Sequence, residues 1–127
     1  MKEFKQYFII PANPEEVYLA LTMEQAIRLW TGDEVSMSNT PNSEFSLWDG
    51  SITGKNLILE KDKKLVQQWY FGDQMEPSIV TIKLHPHKKG TSLELLHTNI
   101  PDTDYQDIVE GWQQVYMASL IDFFEGE

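Results

Sequence analysis

Between Phe45 and Thr98 the chain repeats one pattern: short runs alternating apolar and polar residues, separated by turn signals. The turns are Asp49-Gly50, Lys61-Asp62-Lys63 and Lys89-Gly90. Asp49-Gly50 is the strongest, because Gly readily takes the positive φ of a tight hairpin. Phe45 and Leu47 share one face of the first of these strands, with Ser46 and Trp48 on the other. Ser51 to Glu60 is the return strand, with Ile52, Leu57, Ile58 and Leu59, and Leu65 to Phe71 follows. Val80, Ile82 and Leu84 share a face of Ser78 to His85, as do Leu93, Leu95 and His97 of Thr91 to Thr98. Period two with short connections gives consecutive antiparallel strands. After Pro101-Asp102 the period changes. Tyr105, Ile108, Val109, Trp112, Val115, Tyr116, Leu120 and Phe123 recur at helical spacing. A helix of about 20 residues is ~30 Å long, the width of about six strands at ~4.8 Å each. The expected fold is therefore α+β, an antiparallel sheet with its inner face covered by the last helix.

The N-terminal third supplies the remaining elements. Lys2 to Ile10 reads as a first strand, and Pro11 to Pro14 stops it. Asn13 suits an N-cap, Pro14 the first helical position, and Glu15 and Glu16 the positive end of the helix dipole. Val17, Ala20 and Leu21 form the apolar face of a short helix. Thr22 with Gln25 resembles a capping box that restarts it, through Ala26, Ile27, Leu29 and Trp30 to Gly32. Glu34 to Met37 is expected to be a short strand and Ser38 to Ser43 a polar loop. A length of 127 residues without a linker or repeat predicts one domain, 1–127.

Composition removes whole classes of function. Cysteine is absent, which excludes disulfides, thiolate metal sites and cysteine nucleophiles. Twenty acids against ten Lys and Arg give a net charge of −10, which argues against nucleic acid and membrane surfaces. No signal peptide or long apolar run is present, so a soluble cytoplasmic protein is expected. The charge is segregated: seven basic residues lie between Lys55 and Lys89, and none follows Gly90. This is either a solvated surface or a surface that steers a partner.

No catalytic motif is found, neither G-x-S-x-G, P-loop, H-E-x-x-H nor G-x-G-x-x-G. An enzyme is the weakest reading, and no catalytic residue, metal or cofactor is assigned. His85-Pro86-His87 reads as an exposed hairpin loop rather than a metal site, because Pro86 interrupts the strand and no third ligand is near. Phe45, Trp69, Phe71, Trp112 and Tyr116 share the inner face, and Gly111 sits inside the last helix beside Trp112. Two readings stand: plain core packing, or a cavity between helix and sheet with Gly111 keeping it open. His97 is the one polar candidate pointing inward, either as a satisfied core residue partnered by Tyr116 or another hydroxyl, or orienting a ligand with Tyr116.

The order of motifs resembles the activator of heat-shock protein 90 ATPase family, in its C-terminal-type domain, within the START-like (SRPBCC, Bet v 1-like) superfamily. The residues that carry it are Pro14-Glu15-Glu16-Val17-Tyr18, Leu21-Thr22 with Trp30, the Phe45 to Gly54 hairpin with Asp49-Gly50 and Ile52, Leu65-Val66-Gln67-Gln68-Trp69, Ser78 to Ile82, Gly90 to Leu95 with His97 and Ile100-Pro101, and Gly111-Trp112 with Tyr116. The resemblance implies a helix-grip fold, a curved sheet of about six strands around a long C-terminal helix over a cavity, with two short helices after the first strand. Where many relatives carry Gly-Gly before the Phe45 strand, this chain has Asn42-Ser43-Glu44. It begins at the first strand of that domain, so no N-terminal activator domain is expected and chaperone activation is not carried over with the name.

The leading expectation is a binding protein for a hydrophobic or amphipathic small molecule. Its site is expected to comprise Trp30, Phe45, Leu47, Trp69, Phe71, Leu93, Leu95, His97, Trp112 and Tyr116. The alternative is a chaperone-associated interaction module. A monomer or weak dimer is expected in either case.

Overall fold

The computed structural model describes residues 1–72, 74 and 76–126. Strand β1 (Lys2–Ile10) leads into α1 (Pro14–Thr22) and α2 (Glu24–Thr31). Then come β2 (Glu44–Leu47), β3 (Ile52–Glu60), β4 (Lys64–Trp69), β5 (Ser78–His87) and β6 (Gly90–Ile100). A 3-10 turn (Asp102–Asp104) opens the last helix, which comprises α3 (Tyr105–Glu110), a π-helical turn (Gly111–Tyr116) and α4 (Met117–Glu125). The six strands form one antiparallel sheet in the order β1-β6-β5-β4-β3-β2. The meander from β2 to β6 is as the alternation predicts, and β1 closes it by pairing with the last strand. Val80, Ile82, Leu93 and Leu95 of the inner face and Met117 and Leu120 of the helix are fully buried in one core.

The helix ends follow the sequence in part. Asn13 caps α1, its Oδ1 accepting from the Glu16 N–H at 2.9 Å, and Gly32 ends α2 in the left-handed conformation. The Thr22–Gln25 capping box does not form. Thr22 belongs to α1, where its hydroxyl donates to the Tyr18 carbonyl at 2.8 Å, and Met23 stands at the start of α2 without a side-chain cap. Glu34 to Met37 yields only a bridge, Ser36 to Ser46, rather than a strand. Pro86 does not interrupt β5, which continues to His87. Pairing with β4 stops at Lys83, so by Pro86 that edge has no partner to lose. His85 bonds Glu94 at 2.9 Å, and the His87 ring accepts from the Lys89 N–H.

Two cross-strand rows organise the inner face beneath the last helix. Phe45 faces Gly54, Gly54 faces Trp69, and Trp69 faces Ser78. One step along, Asn56 faces Gln67, Gln67 faces Val80, and Val80 faces His97. Gly54 is required by close approach. A Cβ there falls on the Gln68 carbonyl oxygen and 2.8 Å from the Phe45 ring. Gly54→Ala is expected to cost about 2 kcal/mol or more through overpacking, measured by urea denaturation. A loss under ~0.5 kcal/mol would contradict this packing.

Candidate functional site

The aromatic residues of the inner face meet in a continuous cluster. Trp69 stacks on Trp112 with ring centroids 4.7 Å apart, and Trp112 lies 4.5 Å from Tyr116. Tyr116 lies 5.1 Å from Trp30 and 6.0 Å from Trp48, with Trp30 and Trp48 5.7 Å apart. Edge-to-face and offset contacts at these separations are the favoured aromatic geometries. Beside the cluster, between the β2–β3 hairpin and the last helix, a cleft of about 390 Å³ opens. Trp48, Ile52, Trp69, Trp112, Val115 and Tyr116 give it mostly apolar walls, while Asp33, Ser51 and Asp107 add polar groups. Gly111 lines it too, and a Cβ at that position meets no atom beyond the adjoining helix backbone within 4 Å. Val80, Ile82, Leu93, Leu95, Met117 and Leu120 are fully buried in the core and do not line the cleft, which is bordered by the β2–β3 hairpin, Trp69 and the last helix.

Both stacked indoles are tethered by buried hydrogen bonds. Trp112 Nε1–H donates to His97 Nδ1 at 3.0 Å, so the ring proton sits on Nε2 and points to Ser78 Oγ at 2.8 Å. The Ser78 hydroxyl donates onward to the Thr98 carbonyl at 3.1 Å. On the other side Trp69 Nε1–H donates to Gln67 Oε1 at 3.0 Å. The Gln67 amide donates to Asn56 Oδ1 at 2.9 Å, and the Asn56 amide to the Ser38 carbonyl at 3.1 Å. Asn56 and Gln67 meet because the register sets them directly opposite. Satisfied buried networks of this kind fix side-chain orientation. Burial lowers the His97 pKa to about 4, so the imidazole is neutral at neutral pH.

Three of the ten residues expected at the site, Trp69, Trp112 and Tyr116, line the cleft. Trp30 stands behind Tyr116 and Trp48, its N–H donating to the Ala20 carbonyl at 2.7 Å. Phe45, Leu47, Leu93 and Leu95 are buried in the core and do not line the cleft. Phe71 packs near His97, centroids 6.1 Å apart. His97 is fully buried with both nitrogens engaged, and its hydroxyl partner is Ser78 rather than Tyr116. It therefore orients Trp112 rather than a ligand. Nor is it the one inward polar residue, since Asn56, Gln67 and Ser78 are equally enclosed.

Trp48, Asp33, Ser51, Ile52, Asp107, Ile108 and Val115 complete the lining. Strand alternation assigns Trp48 to the outer face, but its φ is +49°, so regular alternation ends at Leu47 and the ring packs against Trp30 and Tyr116. Asp49 and Gly50 follow at +52° and +91°, and Ser51 N–H closes the turn on the Trp48 carbonyl at 3.1 Å. A bulky residue in the left-handed region costs roughly 1–3 kcal/mol and persists only where its surroundings hold it. The π turn is the second departure. One extra residue in the turn moves the buried face to Trp112, Tyr116, Met117, Leu120 and Phe124, leaving Val115 exposed at the cleft. Such turns occur often at functional sites.

Sheet order, the two short helices and the gripped C-terminal helix define a START-like helix-grip fold. Solved structures agree. An HSP90 activator from Plasmodium falciparum superposes with a TM-score of 0.86 at 24% identity, over 98% of this chain and 96% of that one. The Aha1 dimer from Colwellia psychrerythraea gives 0.82 at 23% identity, over 98% and 97%. The family described as Activator of Hsp90 ATPase homolog 1-like protein matches residues 11–125, and the chain belongs to it. The activator of 90 kDa heat shock protein ATPase homolog of Dictyostelium discoideum is 30% identical over 105 residues, 80% of this chain and 27% of that protein. The human homolog 1 is 26% identical over 110 residues, 85% of this chain and 32% of that protein. The chain thus spans about a third or less of these relatives. No helix among the described residues is long and apolar enough to cross a membrane.

Proposed function

We propose that this chain is a one-domain cytoplasmic binding protein whose cleft takes a hydrophobic or amphipathic small molecule. The observation that carries the reading is the cleft of about 390 Å³ itself, apolar-walled, floored by two tethered indoles and bordered by Gly111. Its volume falls within the range of small-molecule sites. It has room for on the order of a dozen waters at ~30 Å³ each, and their release from apolar walls favours binding. A thermal-shift and native mass-spectrometry screen of hydrophobic ligands tests it. A ligand at a hundredfold excess over its Kd stabilises by about 2.7 kcal/mol. Uniform silence across the screen contradicts the reading.

Family membership favours a second reading, docking on a chaperone as a monomer or weak dimer. Relatives are named activators of the 90 kDa heat shock protein ATPase. Stimulation of that ATPase, or a pull-down with the cognate chaperone at low salt, tests it. No binding at low salt contradicts it.

A further inference from the structure

The geometry points to an organic cation with an apolar body as the ligand class of the cleft: an alkyl- or arylalkylammonium whose charged end sits between Asp33 and Asp107. This rests on the small-molecule reading above and narrows it. Asp33 and Asp107 both line the cleft and both are solvent-exposed, so they stand where it meets water. They come from different elements, the turn after α2 and the helix α3. None of the lining residues is basic, and the chain carries no Lys or Arg from Gly90 onward. Arg28, near the end of α2, is occupied, donating to the Val35 carbonyl at 3.1 Å and paired with Glu24 at 3.7 Å.

The walls point the same way. Indole and phenol faces attract an ammonium through their ring quadrupole, and the attraction grows as water is excluded. Tyr116 supplies an independent observation. It is only 4% exposed and lines the cleft. Burial raises its pKa, so the phenol stays neutral and keeps a lone pair to accept an ammonium N–H. A carboxylate ligand would meet two like charges and the overall charge of −10.

The test uses three probes with one apolar body: phenylbutylamine, phenylbutanol and phenylbutyrate. Each is titrated into the full chain at low salt, with the tryptophan indole resonances followed by ¹H–¹⁵N NMR. Three indoles have intramolecular acceptors, so the Trp48 signal is expected to move most. The amine is expected to bind roughly tenfold tighter than the alcohol, and the carboxylate more weakly than either. Raising the salt should narrow the gap. In Asp33→Asn/Asp107→Asn the amine should fall to about the alcohol's affinity while the alcohol is unchanged. Equal binding of amine and alcohol overturns the cation assignment while leaving a cleft that binds. A preference that survives the double substitution overturns the role of the two carboxylates. If no probe shifts any resonance, both the assignment and the small-molecule reading fail.

Discussion

Trp112→Ala is expected to lower the unfolding free energy by about 3–5 kcal/mol, the range for removing a buried aromatic ring. Trp112 is 2% exposed and touches Trp69, Tyr116 and His97 at once. Its removal merges a cavity with the existing cleft and leaves His97 Nδ1 without its donor. An unpaired buried acceptor adds roughly 1–3 kcal/mol, overlapping the cavity cost because both losses occur at one place. Trp112→Phe separates the two contributions, because a ring remains and only the N–H is lost. It is expected to cost about half as much. Urea denaturation with fluorescence detection measures both. A loss under ~1 kcal/mol for the alanine variant would mean that the ring does not hold the floor of the cleft.

Acidification provides the second large effect. The folded His97 has a pKa of about 4, below the ordinary 6.5 of the unfolded chain. Below pH 6.5 the unfolded imidazole takes a proton that the folded one refuses, so unfolding is favoured. The contribution is therefore fully present above pH 6.5, lost as pH falls, and exhausted near pH 4. A gap of that size is on the order of 3 kcal/mol. Between pH 6.5 and 5 ordinary carboxylates titrate little, and His85 and His87 are common to the parent and a His97 variant, so the difference between the two reports His97. His97→Gln keeps an acceptor for Trp112 and carries no titrating ring. Its stability should decline less than the parent's across that window, by the contribution of His97 alone. Parallel curves for the two would show that His97 is not held neutral by burial.

The parts of the fold set by periodicity were readable from the residues. The turn signals and period-two runs gave the meander, and the change to helical period gave the gripping helix. What escaped depends on backbone departures that periodicity does not encode. Trp48 breaks alternation through its positive φ. The π turn moves burial from Phe123 to Phe124 and exposes Val115. Gln67 was readable in principle, lying in phase with Leu65 and Trp69 on one strand, and the register then brings Asn56 to it. The partner of His97 was not readable, because Ser78 and Trp112 reach it from β5 and the last helix, elements far apart in sequence. A glycine set inside a good helix leaves plain core packing and open space equally readable, and only the structure places open space where a Gly111 Cβ would stand.

That glycine allows the most direct test. Gly111 has helical backbone angles, lines the cleft and has open space where a Cβ would stand. Gly111→Ala should raise stability by up to about 1 kcal/mol, and Gly111→Leu should extend a side chain into the cleft without unfolding the protein. The deciding measurement is a tryptophan-fluorescence titration of phenylbutylamine into the parent chain and Gly111→Leu, each shown folded by its thermal transition. A saturable change in the parent that vanishes in the leucine variant is the predicted result. An identical titration in both, or no saturation in the parent, contradicts the claim that the space beside the stacked indoles is a binding site.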